Sequence, residues 1–387
     1  MSTVTAVAPL AADERAALLD LVREFTEAAL APHAGEWDEH HHFPVDVLRD
    51  AGGIGLGGVY AREEFGGSAL SRLDAAAVFE ELSRGDTTIA AYISIHNMVV
   101  WMIDAFGDDA QRARWLPRLV TLDDRASYCL SEPGSGSDAG ALSTSARLDG
   151  DAYVLNGVKQ FISGAGSSAV YLVMARTGGS GSRGVTAFLL PGDAPGLSFG
   201  PEEQKLGWNA QPTRQVILDD VRVPVADRLG DEGQGFPIAM RGLNGARVNM
   251  AACSLGGAQW ALERAATYVQ EREAFGAPLS ANQSVVFTLA DMATDLAAAR
   301  LLIERAATKM DEGAADVAVA CAMAKRFATD AAHDVADAAL QLFGGYGLLR
   351  DYGIERVVRD LRVHRITEGT NEIMRLIVGR EVLRTAR

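Results

Sequence analysis

The sequence predicts an α+β protein in which two helical regions flank one antiparallel β domain. Three observations carry this. Residues ~10–125 are rich in Ala, Leu, Glu and Arg with few turn clusters, the composition of helices. Residues ~126–235 shift to short β-type runs broken by Gly and Pro, and helical periodicity returns from ~236 onward. No repeat at a fixed period interrupts that order. The domains are therefore drawn as an N-terminal helical domain over 1–125, a central antiparallel β domain over 126–235 and a C-terminal helical bundle over 236–387. A chain of 387 residues has room for two or three domains and is too long for a single small binding module.

The elements follow in order. Ala11 to Ala29 reads as one helix and Leu73 to Leu82 as another. The apolar stretch Ile89–Phe106 is interrupted by His96, Asn97 and Asp104, which favours a buried helix over a membrane span. In Tyr153–Ile162 the Asn156-Gly157 pair between apolar flanks predicts a hairpin turn. Val170–Ala175 and Val185–Leu190 are short strands separated by the loop Gly178–Gly181, and Arg214–Val223 is a strand that Pro224 helps close. Leu289, Met292, Ala293, Leu296, Ala299 and Ile303 recur at helical spacing, amphipathic or wholly buried. Arg247–Arg272, Asp316–Leu342 and Glu372–Leu383 are further helices.

Composition excludes several functions. Hydrophobic residues at 48% and charged residues at 22% are the balance of a folded soluble protein, not of a disordered or collagenous chain. A net charge of −15 repels phosphate backbones and makes nucleic acid a poor partner. Cys129, Cys253 and Cys321 are odd in number and lack a C-x-x-C pair, which argues for a reducing compartment. The first residues lack a basic start, a long apolar core and an Arg-rich character, so neither a signal nor a transit peptide is expected. A cytoplasmic, prokaryote-like location and no membrane association follow as expectations.

Three clusters carry candidate chemistry. Tyr128-Cys-Leu-Ser-Glu-Pro-Gly-Ser-Gly-Ser-Asp138 alternates glycines and hydroxyls, as a plain turn or as a loop that approaches a phosphate or heteroaromatic ring. Its glycines are out of phase for a dinucleotide fingerprint, and no G-x-S-x-G elbow is present in it. In Arg365–Glu372, Glu368 precedes Gly369, where the backbone can bend, and a helix that Thr370 or Asn371 could cap; a surface acid is the plainer alternative. In Gln341–Gly347, glycines at 344, 345 and 347 exceed what one helix cap needs and admit a ligand or a neighbouring subunit. His40-His41-His42 cannot converge on one ion as i, i+4 spacing does, so it reads as a solvated loop and no metal is expected.

Together these clusters resemble the acyl-CoA dehydrogenase family over nearly the whole chain. Ser131–Asp138 is similar to the family's first signature, and Glu271–Gly276, Gln341–Gly345 and Glu368–Glu372 match later ones in the right order. The resemblance implies a helical domain, a β domain and a helical bundle, usually as a homotetramer. Ala91–Met98, Phe161–Gly166, Gly207–Arg214 and Arg241–Arg247 resemble the branch that oxidises isobutyryl-CoA to methacrylyl-CoA in valine breakdown more than the straight-chain branches.

The implied reaction is flavin-dependent α,β-dehydrogenation of a short branched acyl-CoA. By resemblance Glu368 is the base; Ala246 occupies the position that supplies the base in other branches and cannot serve. FAD is implied to contact Tyr128, Cys129, Leu130, Ser131 and Ser137 of the loop and Phe161, Ile162 and Ser163 beside it. Arg272 resembles a pyrophosphate partner. Phe275, Asn282, Gln283, Gln341, Leu342, Phe343, Gly344 and Gly345 are further FAD positions, some of them reaching a neighbouring subunit's cofactor. Thr370, Asn371 and Glu372 match positions near the nucleotide, and Ser137, Asn244, Gly245, Ala246, Arg247 and Arg380 match CoA-contacting ones. Ser131 stands where many relatives carry threonine and keeps the hydroxyl. Electron-transferring flavoprotein is the implied acceptor. The alternatives are 2-methylbutyryl-CoA or butyryl-CoA as substrate, an acyl-CoA oxidase, and a flavin-binding protein without turnover.

Overall fold

The computed structural model describes residues 7–386; the first six residues, on which part of the N-terminal reading rests, and residue 387 lie outside the described set. The first region holds α1 (Ala12–Phe25), α2 (Ala34–His40), α3 (Val45–Gly53), α4 (Arg72–Gly85), α5 (Thr87–Phe106) and α6 (Asp109–Leu119). The helix expected over 11–29 is continuous but widens after α1 into a π-helical turn over Thr26–Leu30, where the Ala31 N–H donates to Thr26 O at 2.9 Å. Gly85 at the end of α4 packs on that turn, close enough that a Cβ there would meet Thr26 Cγ2 at 2.6 Å. Side-chain caps start the long helices: Ser71 accepts from the Asp74 N–H and Asp86 from the Ile89 N–H. All of α5 except Trp101, Ala105 and Phe106 is buried; long and apolar enough to span a membrane, it is instead a core helix.

The middle region is an eight-stranded sheet: β1 (Ala126–Cys129), β2 (Ser145–Asp149), β3 (Ala152–Ser163), β4 (Val170–Arg176), β5 (Val185–Pro191), β6 (Leu197–Phe199), β7 (Thr213–Pro224) and β8 (Arg228–Leu229). The order is β6-β7-β3-β2-β4-β5-β8, with β1 paired to β4. The ladders are antiparallel except where β4 runs parallel to β1 and to one residue of β2. β4 and β5 are mostly apolar, interrupted by Thr186 and closed by Arg176, because both faces are covered. Val170, Leu172 and Met174 join a core with α5 and α7 residues, whereas Tyr171, Val173 and Ala175 face the sheet's own interior.

The hairpin expected at Asn156-Gly157 is not there. β3 runs through this pair, and the turn lies one strand-end earlier, at Gly150-Asp151, where Asp149 pairs Ala152. Gly157 marks a bulge instead: its φ is 151°, the register slips between Leu155 and Gly157, and a Cβ would meet Thr144 Oγ1 at 2.6 Å. Asn156 is occupied across the sheet, donating to Asp220 Oδ1 at 2.9 Å and accepting the Asp220 N–H at 2.9 Å.

The last region comprises α7 (Gly235–Glu271), the short hairpin β9 (Glu273–Ala274) and β10 (Ala277–Pro278), α8 (Gln283–Asp311), α9 (Val317–Phe343), α10 (Ile354–His364) and α11 (Asn371–Thr385). In α8, Met292, Leu296, Ala299 and Ile303 are buried while Ala293 is exposed, which settles that helix as amphipathic. Helices from both ends of the chain share one apolar core, Val78, Phe79 and Leu82 packing with Ala251, Leu255, Ala328 and Leu361. Close approach of α4 to α7 depends on Gly256, where a Cβ would stand 2.0 Å from the Glu80 carbonyl oxygen. Gly256→Ala should therefore force the two helices apart and cost about 2–3 kcal/mol, read as a midpoint of thermal unfolding several degrees lower with no change of cofactor content.

Candidate active site

Sheet and helices meet around a cleft of about 1660 Å³ whose wall includes Tyr128, Leu130, Ser131, Ser137, Phe161, Ile162, Ser163, Arg247, Glu368 and Thr370. Ordinary small-molecule pockets hold about 300–1,000 Å³, so this one admits two ligands side by side. Tyr128 and Thr367 line it, and their hydroxyls are buried without a hydrogen-bond partner among the described residues. Such orphaned donors await a polar ligand.

Glu368 lies in the loop between α10 and α11 and has a positive φ of 57°, rare for a residue with a side chain. Gly369 follows at φ 93°, where a Cβ would meet Met374 Cε at 2.8 Å. Two cations hold this strained pair. The Arg247 Nε donates to Glu368 O at 3.1 Å, and the Lys325 Nζ donates to Gly369 O at 2.8 Å. Thr370 caps α11 by accepting the Ile373 N–H. Burial pushes the Glu368 carboxyl up to about 7, against the opposing pull of Arg247 and Lys325. The same burial depresses Arg247 and brings Lys325 down to about 7.

The loop expected at 128–138 is a built structure, not a free turn. Glu132 is buried and its carboxylate accepts Lys159 Nζ at 2.8 Å, the Ser143 N–H at 2.6 Å and the Thr144 N–H at 2.9 Å. Lys159 also donates to Leu130 O at 3.1 Å, and the Gln160 N–H to Ser131 O at 2.9 Å, which sews the loop to β3. Phe161, beside it, is exposed on the cleft and left-handed at φ 59°. Opposite, Trp208 at φ 61° donates its N–H to Asp360 Oδ1 at 2.7 Å and its Nε1–H to His364 Nε2 at 3.1 Å.

Several expected contacts lie elsewhere. Cys129 is wholly buried beneath the loop and does not line the cleft. Ala246 belongs to an apolar core, and Gly245 packs under Arg72, where a Cβ would meet Nη1 at 2.8 Å. Asn244 serves Arg247, accepting its Nη1 at 2.9 Å. The Asn371 amide is taken up inside the protein, accepting Lys325 Nζ at 2.9 Å and donating to Thr329 Oγ1 and Asp330 Oδ1. Glu372 and Arg380 are exposed on α11, away from the cleft wall.

The FAD positions lie in two places. Arg272, Leu342, Phe343, Gly344 and Gly345 line a second cleft of about 370 Å³, with Tyr268 stacked on Phe343 at 4.2 Å and the Arg272 guanidinium over the Tyr346 ring. Phe275, Asn282, Gln283 and Gln341 are exposed near it in sequence. Arg247 and Arg272 stand at residues 247 and 272 of one continuous helical stretch, a separation of about 38 Å at the helical rise of 1.5 Å per residue. The two arginines cannot meet the same small group within one chain.

Three cleft-side residues were not among the expected ones. Lys325 is fully buried behind Glu368, Arg362 lines the cleft with no ion pair among the described residues, and Lys205 lines it while donating to Gln211 O at 2.8 Å. None sits in a glycine-rich or hydroxyl-rich cluster; only an unpaired Lys on the apolar face of α9 could have drawn notice.

Family models for the acyl-CoA dehydrogenase N-terminal, middle and C-terminal domains match residues 12–123, 127–221 and 233–383. The mitochondrial isobutyryl-CoA dehydrogenase of Bos taurus is 53% identical over 359 residues, covering 93% of this chain and 86% of the relative. The solved butyryl-CoA dehydrogenase of Megasphaera elsdenii is 36% identical with a TM-score of 0.94, over 97% of this chain and all of that one. A glutaryl-CoA dehydrogenase of Mycobacterium smegmatis, solved in complex with FADH2, is 29% identical with a TM-score of 0.92, over 98% and 96% of the two chains.

The Glu132–Lys159 pair gives a test of the loop's anchoring. Glu132→Gln should strand a buried ammonium and cost about 3–5 kcal/mol, whereas Glu132→Gln with Lys159→Met should recover much of the loss, both read by thermal unfolding. The Glu132 carboxyl is held down to about 2, so its contribution is present above the ordinary carboxylate range and lost as pH falls through about 2.

Proposed function

The chain belongs to the acyl-CoA dehydrogenase family, and on that premise we propose that it converts isobutyryl-CoA to methacrylyl-CoA. It is an FAD-dependent oxidoreductase. FAD, when bound, supplies the two-electron acceptor for the hydride that leaves the substrate β-carbon. The residues present suit both ligands: orphaned hydroxyls at Tyr128 and Thr367, an exposed aromatic at Phe161, and hydroxyls at Ser131, Ser137 and Ser163 on one wall.

The observation that carries the reading is Glu368, a carboxyl on the cleft wall whose proton affinity is raised to near neutrality by loss of hydration. A thioester α-proton is far less acidic than a carboxylic acid, so a base of ordinary carboxylate strength removes it poorly. Desolvation strengthens Glu368 as a base, and Arg247 and Lys325 keep it ionisable. The backbone N–H groups of Glu368 and Gly369 have no acceptor among the described residues. They are suited to donate to the thioester oxygen as negative charge builds there. Arg362 and Arg247 offer the cleft's positive charge to an anionic ester.

We further propose a homotetramer that passes electrons to electron-transferring flavoprotein. Val286, Phe287, Leu301, Leu376, Val382 and Leu383 are exposed apolar side chains of α8 and α11, as a subunit interface would need. The second cleft, too distant for its own chain's Glu368, would then serve a neighbouring copy's cofactor. Sedimentation should return a tetramer, and Arg272→Ala should release FAD on gel filtration; a monomer that retains FAD would overturn this arrangement.

Anaerobic bleaching of the flavin by a panel of acyl-CoA esters tests the reaction, with isobutyryl-CoA fastest. Faster bleaching by butyryl-CoA or 2-methylbutyryl-CoA would reassign the substrate, and a substrate-dependent peroxide burst in air would indicate an oxidase. Glu368→Gln should still bind the ester and lose at least about a hundredfold in bleaching rate. The wild-type rate should fall as pH drops through about 7, because only the ionised carboxylate accepts the proton.

A further inference from the structure

Lys325 is the one fully buried lysine on the helical side of the cleft, on a helix otherwise lined with alanines. A buried ammonium requires strong partners. It has two, one in the loop that carries Glu368 and one at the first residue of the helix that follows it: Gly369 O at 2.8 Å and Asn371 Oδ1 at 2.9 Å. Asn371 is itself locked to α9 through Thr329 Oγ1 at 2.9 Å and Asp330 Oδ1 at 2.8 Å. Asp330 also receives Arg365 Nε at 2.8 Å and Arg375 Nη2 at 2.9 Å, from the two sides of the same loop. Lys325 and Asp330 stand five positions apart on α9, which therefore grips the loop at two points.

We infer that Lys325 is a positioning residue for Glu368: its ammonium pins the left-handed Glu368–Gly369 turn to α9 and presents buried positive charge to the carboxylate. The inference rests on the proposed role of Glu368 as base. A glutamate at positive φ reverts to an extended or helical backbone unless its carbonyl and the next are held. Arg247 holds the first and Lys325 the second. The groups that face Glu368 are Arg247 from α7, Lys325 from α9, and the phenols of Tyr128 from β1 and Tyr60. Lys325 in turn feels Glu368, Arg247, Asp330 and Glu372, and it depresses His364. Among the described residues, Arg247 and Lys325 are the cations that oppose the burial of the Glu368 carboxylate. Removing Lys325 leaves one cation against an undiminished desolvation.

The test uses the FAD-loaded full chain. The Glu368 carboxyl is titrated without substrate by infrared difference spectroscopy against Glu368→Gln, and bleaching by isobutyryl-CoA is followed across pH. In Lys325→Met the titration should move alkaline by about one pH unit or more. Bleaching should drop most at the acidic end and recover at the alkaline end, and Lys325→Arg should restore bleaching at the acidic end. Asn371→Ala, which removes one tie and keeps the charge, should slow bleaching at every pH with the titration unmoved. An unmoved titration in Lys325→Met, or an equal loss at every pH, would overturn the inference. If that variant does not fold, Lys325→Gln carries the same comparison. Should isobutyryl-CoA bleach no variant while the titration still moves, the substrate is wrong and the role of Lys325 stands.

Discussion

The structure depends on keeping one carboxylate both dry and ionisable. Removing water from Glu368 raises its proton affinity toward neutrality, and unopposed desolvation would leave a neutral acid at working pH. The opposing charges come from two helices, Arg247 on α7 and Lys325 on α9, each of which must itself be buried to reach the loop. Each cation loses solvation for the same reason as the carboxylate, and each is therefore sustained by hydrogen bonds to backbone carbonyls. Charge and geometry are thus set by the same contacts. The donors that orient the turn are the cations that tune the acid.

This arrangement asks the helices to approach closely, and the glycines of α7 answer that demand. Gly245 lies under Arg72, Gly256 against the Glu80 carbonyl and Gly257 against Thr87, each with no space for a methyl group. The α4–α7 contact joins N-terminal and C-terminal helices into one core, so the loop carrying Glu368 hangs from a rigid body. The sheet supplies the facing wall. There the Glu132–Lys159 pair fixes the hydroxyl-rich loop by a related device, a buried lysine tied to a backbone carbonyl and a side-chain oxygen of a segment distant in sequence, the side chain being a carboxylate here and the Asn371 amide behind Glu368.

What was legible in the sequence was local. The order of helices, strands and helices follows from hydrophobic period and turn residues, and the 128–138 and 365–372 clusters stand out because their chemistry is contiguous. Asn156-Gly157 misled because a positive-φ glycine serves a bulge as well as a turn, and only the neighbouring Thr144 decides between them. Gly369 reads as a bend, but Glu368 itself carries the rarer backbone, which its residue type does not announce. Lys325 was invisible, since a single lysine in an alanine-rich helix has no motif and its partners lie more than forty residues on. Asn371 matches a nucleotide position by pattern, and its amide is bonded to α9, a tie that sequence alone does not announce.

The same distinction between local and distant applies to charge. A surface of net −15 is unfavourable for an anionic ester and an anionic cofactor if charge is averaged over the molecule. Averaging fails because solvent screens exposed carboxylates within about 10 Å at ordinary salt, while buried groups are screened far less. Many of the surface acids are also met by arginines close by, such as Asp124 by Arg118 and Glu263 by Arg84. Arg247, Arg362 and Lys325 sit in or behind the cleft, where their fields persist. The sign of the site is therefore decided by the few charges that are least screened, and the acidic exterior does not oppose its ligands.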